Sequence, residues 1–307
     1  MKQLKHPSYL NLKKGEMDER IKKAYKLFSP CHICPQNCGV KRLEGEKGFC
    51  RSGEDILISS YNAHFGEEPP LSGRFGSGTI FFTNCNLRCV YCQNYPISQM
   101  GNGYKITALK LAKIMLELQG RKCHNVNLVT PTHFVYQILQ SIKIAIGLGL
   151  NIPIVYNTSG YESVHTLKLL DGIVDIYLPD TRYADNKIAV KYSAAPHYFE
   201  VMKRALKEMH RQVGDLVIDK NSIAVEGLIV RHLVLPEGQS GTSKIMNFIA
   251  KNISPYTYIS LMAQYFPAYQ AEQFPSLSRR ISKEEYKEAF KAFREEELEN
   301  GWFQESI

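Results

Sequence analysis

A partial barrel of parallel β/α units, roughly a (β/α)6 arrangement with a small cysteine-rich module before it and a helix after it, is the α/β fold the sequence predicts. Three observations predict it. Six short apolar runs recur from residue 78 onward, segments with apolar residues at helical spacing lie between them, and seven of the eight cysteines fall between Cys31 and Cys92, outside most of that alternation.

The bulk properties set the frame. At 307 residues and 44% hydrophobic content the chain is long enough to bury a large core. No run of 18 or more apolar residues suggests a membrane span. The first thirty residues are charged and polar and lack the apolar core of a secretory signal, so a cytoplasmic, reducing environment is expected. In that environment clustered thiols bind metal more often than they pair as disulfides. The net charge of +8 is ordinary for a soluble enzyme, and no module interleaves aromatics with Lys and Arg, so nucleic acid is not an expected partner. No internal repeat is visible.

Residues 1–73 are expected to form an N-terminal helix over Met17–Leu27 and a four-cysteine module, and 74–266 the barrel. Residues 267–307 are expected to form a helical extension. The stretch Gly66–Gly78, with Pro69 and Pro70 and several Gly and Ser, reads as the connection into the barrel. The predicted strands are Gly78–Phe82, Val126–Val129, Ile152–Tyr156, Val174–Leu178, Leu228–Val234 and Tyr258–Met262, each apolar on both faces as buried parallel strands are. Helical stripes are Leu111, Ile114, Met115, Leu118; Ile138, Ile142, Ala145, Ile146; and Phe199, Met202, Leu206, Met209. A further helix follows Thr242, and a last one carries Tyr286, Ala289, Phe290 and Phe293 on one face. In such barrels the chemistry gathers at the carboxyl ends of the strands.

Directly after the first strand comes Thr83-Asn84-Cys85-Asn86-Leu87-Arg88-Cys89-Val90-Tyr91-Cys92. Thiolates are the ligands iron–sulfur clusters prefer, and the Cys-x3-Cys-x2-Cys spacing lets one loop reach three irons of a [4Fe–4S] cubane, leaving the fourth open. An open iron can chelate the amino and carboxylate groups of S-adenosylmethionine (SAM). The competing reading is a tetrahedral zinc held by three cysteines and a distant histidine.

At these residues the chain resembles the radical SAM superfamily, whose motif has this spacing and an aromatic before the last cysteine, here Tyr91. Within it, Phe82–Asn94 and Asn127-Leu128-Val129-Thr130-Pro131-Thr132-His133 resemble the proteins related to pyruvate formate-lyase activating enzyme. The resemblance spans roughly residues 31 to 266 and implies a partial barrel of the radical SAM type. It also implies catalytic Cys85, Cys89 and Cys92 on a [4Fe–4S] cluster, SAM as cofactor or cosubstrate, and a flavodoxin- or ferredoxin-type reductant. The acceptor it implies is a backbone glycine of a partner enzyme, as in a glycyl-radical activase. The alternatives are a small-molecule or RNA substrate and, from another class, an iron–sulfur electron carrier or metal scaffold without catalysis.

The resemblance also assigns the remaining strand ends. Activating enzymes carry a Gly-Gly-Glu turn after the second strand, where this chain has Thr130-Pro131-Thr132-His133. Thr130 is then a cofactor contact through its backbone, and His133 either adds a titratable group or caps the next helix. Asn157 and Ser159, in Tyr156-Asn157-Thr158-Ser159-Gly160, stand where the family has a polar turn, against the reading of a plain Asn-to-Gly loop. Asp180 would meet ribose hydroxyls and Arg182 the cofactor carboxylate, against an ordinary surface Asp–Arg pair. Only one of Arg231 and His232 can face the barrel interior. Arg231 is the one expected to, answered there by the cofactor carboxylate. Gln264 is assigned a contact near the adenine, and Tyr91 a contact with the cofactor.

Cys31, Cys34, Cys38 and Cys50 form a second set, sufficient for a closed site. Structural zinc and a second [4Fe–4S] cluster both suit four thiolates. Cys123 stands alone and is expected to be a core residue.

Overall fold

The protein is described from a computed structural model covering residues 7–304. Its strands are β1 (Ile56–His64), β2 (Ser77–Phe82), β3 (Tyr104–Ile106), β4 (Val126–Val129), β5 (Ile154–Thr158), β6 (Ile176–Pro179), β7 (Val217–Ile218), β8 (Ala224–Leu233), β9 (Tyr258–Met262) and β10 (Gly301–Phe303). β2, β4, β5, β6, β8 and β9 lie side by side and parallel, in chain order. These are the six predicted strands, and the α/β partial barrel holds. The third begins two residues later than the apolar run suggests, because Pro153 has no N–H to give to a ladder.

The expected helices are present as Glu16–Phe28, Ala108–Gly120, Val135–Gly147, Tyr198–Val213, Thr242–Asn252 and Lys283–Glu295. The last starts at a capping box, with Ser282 accepting from Glu285 N and Glu285 accepting from Ser282 N. They cover the outer face of the sheet, burying Tyr156, Tyr177, Leu228 and Val230, and Cys123 is a buried member of that core.

Two boundaries differ from expectation. β1 lies in the segment assigned to the N-terminal module, yet it pairs antiparallel with β2 and with β3, extending the sheet and leaving the barrel open along that edge. The C-terminal segment is not purely helical, since β10 adds a parallel strand to β9. Both depend on pairing with distant chain, and Gly301-Trp302-Phe303 is too short for any periodicity to show.

The connection before β2 does more than connect. Its single helical turn, Pro69–Ser72, places Leu71 against Val155, Ile176, Leu178 and Ile229, on the concave face of the sheet. Because side chains alternate along a strand, the residues two further on, Asn157, Asp180 and Arg231, share that concave face near its carboxyl edge. Among the described residues no helix is long and apolar enough to cross a membrane.

Candidate active site

The three-cysteine loop leaves β2 at the carboxyl edge of the parallel strands. Asn84 makes the turn with a left-handed φ of 72°, and its amide donates to Ser52 Oγ at 3.0 Å. The loop is then stitched to a distant segment, Arg88 N to Ser193 O at 2.9 Å and Val90 N to Tyr192 O at 2.8 Å. Each sulfur has a polar neighbour of its own: Leu87 N on Cys85 Sγ at 3.4 Å, Ser193 Oγ on Cys89 Sγ at 3.0 Å, and Ser98 Oγ on Cys92 Sγ at 3.0 Å. The Arg182 guanidinium stands 3.9 Å from Cys89 Sγ.

Burial, with the neighbouring Cys89 adding to it, pushes the Cys85 thiol up to about 12. Burial raises Cys89 as well, with Arg182 opposing. Two such thiols do not ionise together in a dry loop unless a metal's positive charge compensates them. Three thiols on one short loop are the soft donor set an iron–sulfur cluster takes, one sulfur per iron, so the residues present fit such a cluster.

Around the loop, Asp180 accepts from Arg182 Nη2 at 2.5 Å and from Arg231 Nε at 3.1 Å. Arg231 also donates to Glu67 at 3.2 Å and to Asn157 Oδ1, and lies 4.0 Å from Glu68. Arg231 faces the concave side as expected, but its charge is answered by the chain's own carboxylates rather than by a vacant position for a cofactor carboxylate. Glu67 and Glu68 come from the connection, which no local pattern would place beside β8. His232 points the other way, buried between Thr181 O at 2.7 Å and Thr242 Oγ1 at 2.9 Å, and burial lowers it to about 4.

Polar capacity is left over at the strand ends. Arg182 Nε and Ser159 Oγ are buried without a hydrogen-bond partner in the protein, and Ser159 lies directly before Gly160, whose φ of 73° brings its Cα beside Asp180 O. Thr130, with φ of 57°, ends β4 and donates its N–H to Asn157 O at 2.8 Å. Gln264 is exposed just past β9, accepting through its carbonyl from Gln93 Nε2 at 3.1 Å.

Tyr91 differs from expectation. Its ring is buried among Tyr183 and Tyr265, and its hydroxyl pairs with Tyr183 OH at 2.6 Å. Tyr183 in turn meets Ser193 Oγ at 2.6 Å, so a chain of hydroxyls ends on Cys89 Sγ. The side chain of Tyr91 thus belongs to the support of the cysteine loop and does not line an opening. His133 also resolves: its ring Nε2 meets Thr83 O at 2.8 Å, burial lowers it to about 3, and it makes no cap. It is a neutral histidine tying β4 to the root of the cysteine loop.

Glu162, unremarked in the sequence, is buried beneath two strand ends, accepting from Thr132 Oγ1 at 2.5 Å, from Thr158 and from Tyr156 at 3.4 Å. Burial pushes its carboxyl up to about 7 from 4.5. The folded protein therefore holds this proton over a window where the unfolded chain has released it, so the group's contribution falls as pH rises from 4.5 to 7 by about 3 kcal/mol. Glu162→Gln, neutral at every pH, is expected to match the wild type at pH 5 and to exceed it at pH 8, as read by urea midpoints. Equal midpoints at both pH values would show the carboxyl is ionised in the fold.

The sequence profile described as the Radical SAM superfamily matches residues 79–225. An uncharacterized protein of Methanocaldococcus jannaschii is 34% identical over 288 residues, covering 91% of this chain and 78% of its own length. Among solved structures, that of anSMEcpe with bound AdoMet gives a TM-score of 0.48 at 11% identity, covering 69% of this chain and 57% of that one. That of Streptococcus suis SuiB bound to the precursor peptide SuiA gives 0.49 at 9% identity, covering 73% of this chain and 47% of that one. The chain thus spans about half the length of these two solved proteins.

Proposed function

Because the chain belongs to the radical SAM superfamily, we propose that Cys85, Cys89 and Cys92 hold its [4Fe–4S] cluster, with the fourth iron left to SAM. The observation that carries this reading is a loop at the carboxyl edge of the sheet that presents three thiols, each with its own polar neighbour. When bound, the cluster would supply one electron for reductive cleavage of the SAM sulfonium, chemistry that would give methionine and a 5′-deoxyadenosyl radical able to take hydrogen from a substrate.

The residues of this chain prepare that event. Leu87 N, Ser193 and Ser98 hydrogen-bond to the thiolates and spread their charge, and Arg182 places a guanidinium beside Cys89. The buried tyrosines Tyr91, Tyr183 and Tyr265 keep water from the back of the loop. Arg182 Nε and Ser159 Oγ offer SAM unused donors, Asp180 keeps lone pairs for its ribose, and Asn157, Thr130 and Gln264 mark the neighbouring strand ends. Arg231 acts at one remove, orienting Asp180 and Asn157.

For the acceptor we adopt a backbone glycine of a partner enzyme, with a flavodoxin- or ferredoxin-type protein as reductant. This finer reading is supported by the resemblance of Phe82–Asn94 to the activating enzymes alone. The test of the core reading is anaerobic: reconstituted protein with dithionite and SAM is expected to yield 5′-deoxyadenosine and methionine in equal amounts. Reduced, cluster-loaded protein that leaves SAM intact would make the chain an electron carrier instead.

A further inference from the structure

The largest concentration of reactive side chains outside the mouth is the N-terminal loop. Cys31, Cys34 and Cys50 are buried and Cys38 is half-buried. From residue 31 to 50 the chain has no strand and only the short helical turn Arg42–Glu44. Its path is drawn by bonds around the cysteines: Cys31 N to Val40 O at 2.9 Å, Gly39 N to Cys31 O at 3.0 Å, and Asn37 N to Cys34 O at 3.0 Å. Phe49 N donates to Cys38 Sγ at 3.3 Å, and a Cβ at position 48 would stand 2.9 Å from that sulfur, so Gly48 is what allows the two turns to close. Cys50 lies within electrostatic reach of both Cys31 and Cys34.

Apolar packing around this loop is slight, with Phe28, Cys31 and Ile33 buried and a few neighbours half-covered. Arg42 ties the loop to the body, donating to His133 O at 2.6 Å and to Gly53 O at 2.6 Å.

Four thiols on one short loop are a complete donor set for a cubane, one sulfur per iron. We infer that Cys31, Cys34, Cys38 and Cys50 hold a second [4Fe–4S] cluster, closed by four protein ligands and therefore unable to take SAM.

This second site abuts the first. Gln36 Nε2 donates to Asn86 O at 3.0 Å and to Ala194 O at 3.1 Å. The Arg88 guanidinium lies 4.8 Å over the Phe49 ring, donates to Phe49 O, and is within electrostatic reach of Cys50 and Cys85 alike. One arginine is thus shared between the two cysteine loops.

Metal analysis of the anaerobically reconstituted full chain needs no substitution: about eight irons and no zinc per chain are expected, and one zinc with about four irons would overturn the inference. Cys34→Ala/Cys50→Ala should leave about four irons, with an electron paramagnetic resonance signal of the reduced protein that changes when SAM is added. Cys85→Ala/Cys89→Ala/Cys92→Ala should also keep about four, with a signal that SAM does not alter. Loss of all iron in the triple variant refutes the second cluster and leaves the proposed function standing. Iron that persists there but vanishes entirely from the N-terminal variant refutes the proposed function instead. If the N-terminal variant does not fold, the wild-type count and the triple variant still decide.

Discussion

Cys89→Ala is expected to lower 5′-deoxyadenosine formation at least about a thousandfold, equivalent to about 4 kcal/mol in the barrier, while the chain stays folded. Cys89 sits at the centre of the site: its sulfur takes the bond from Ser193, faces Arg182, and lies between the other two thiols on the loop. Losing it leaves two thiolates for three irons, and the cluster is not retained. Ser193→Ala supplies the graded control, since it removes a donor to the sulfur without removing a ligand, and a loss of about tenfold is expected. Turnover in anaerobic, dithionite-reduced samples reads both. Full activity in Cys89→Ala would remove the three-thiol cluster from the account.

Arg231→Ala is expected to cost stability, by about 3–5 kcal/mol and on the order of 10 °C in Tm. The guanidinium is the partner shared by Asp180, Glu67 and Glu68, and its side chain is only 16% exposed, so truncation strands carboxylates in a place water barely reaches. Glu67, whose carboxyl burial raises while Arg231 opposes, would then hold a proton that the unfolded chain releases above about 4.5. The sign is therefore definite: the gap between wild type and variant widens as pH rises from 5 to 8. Thermal scans at both pH values measure it, and Glu67→Gln placed on Arg231→Ala should narrow the gap at pH 8. A variant as stable as the wild type at pH 8 would mean these carboxylates are hydrated.

Much of the site was legible because its chemistry is written in short spacings. Cys85, Cys89 and Cys92 fall within eight residues, and the strand before them ends where the apolar run ends. Asn157, Asp180 and Arg231 were singled out through the family resemblance, and the structure brings them into one hydrogen-bonded group. The burial of Tyr91 carried no signal, because an aromatic beside a ligand looks the same in sequence whether its ring faces a cofactor or the core. Glu162, Tyr183 and Ser193 carried no signal at all: each matters through partners that only the folded chain supplies.

By itself the sequence determined the parallel α/β body, the helices that cover it, and the thiol loop at its carboxyl edge, since these follow from periodicity and from ligands a few residues apart. Tertiary structure alone decided that β1 and β10 widen the sheet, that the connection before β2 plugs its concave face, and that Arg231 is neutralised from within. The physical reason is range. Periodicity and spacing record contacts within one turn or one strand, whereas the partner of a buried charge is fixed by whichever chain the fold delivers, here Glu67 to Arg231 across 164 residues.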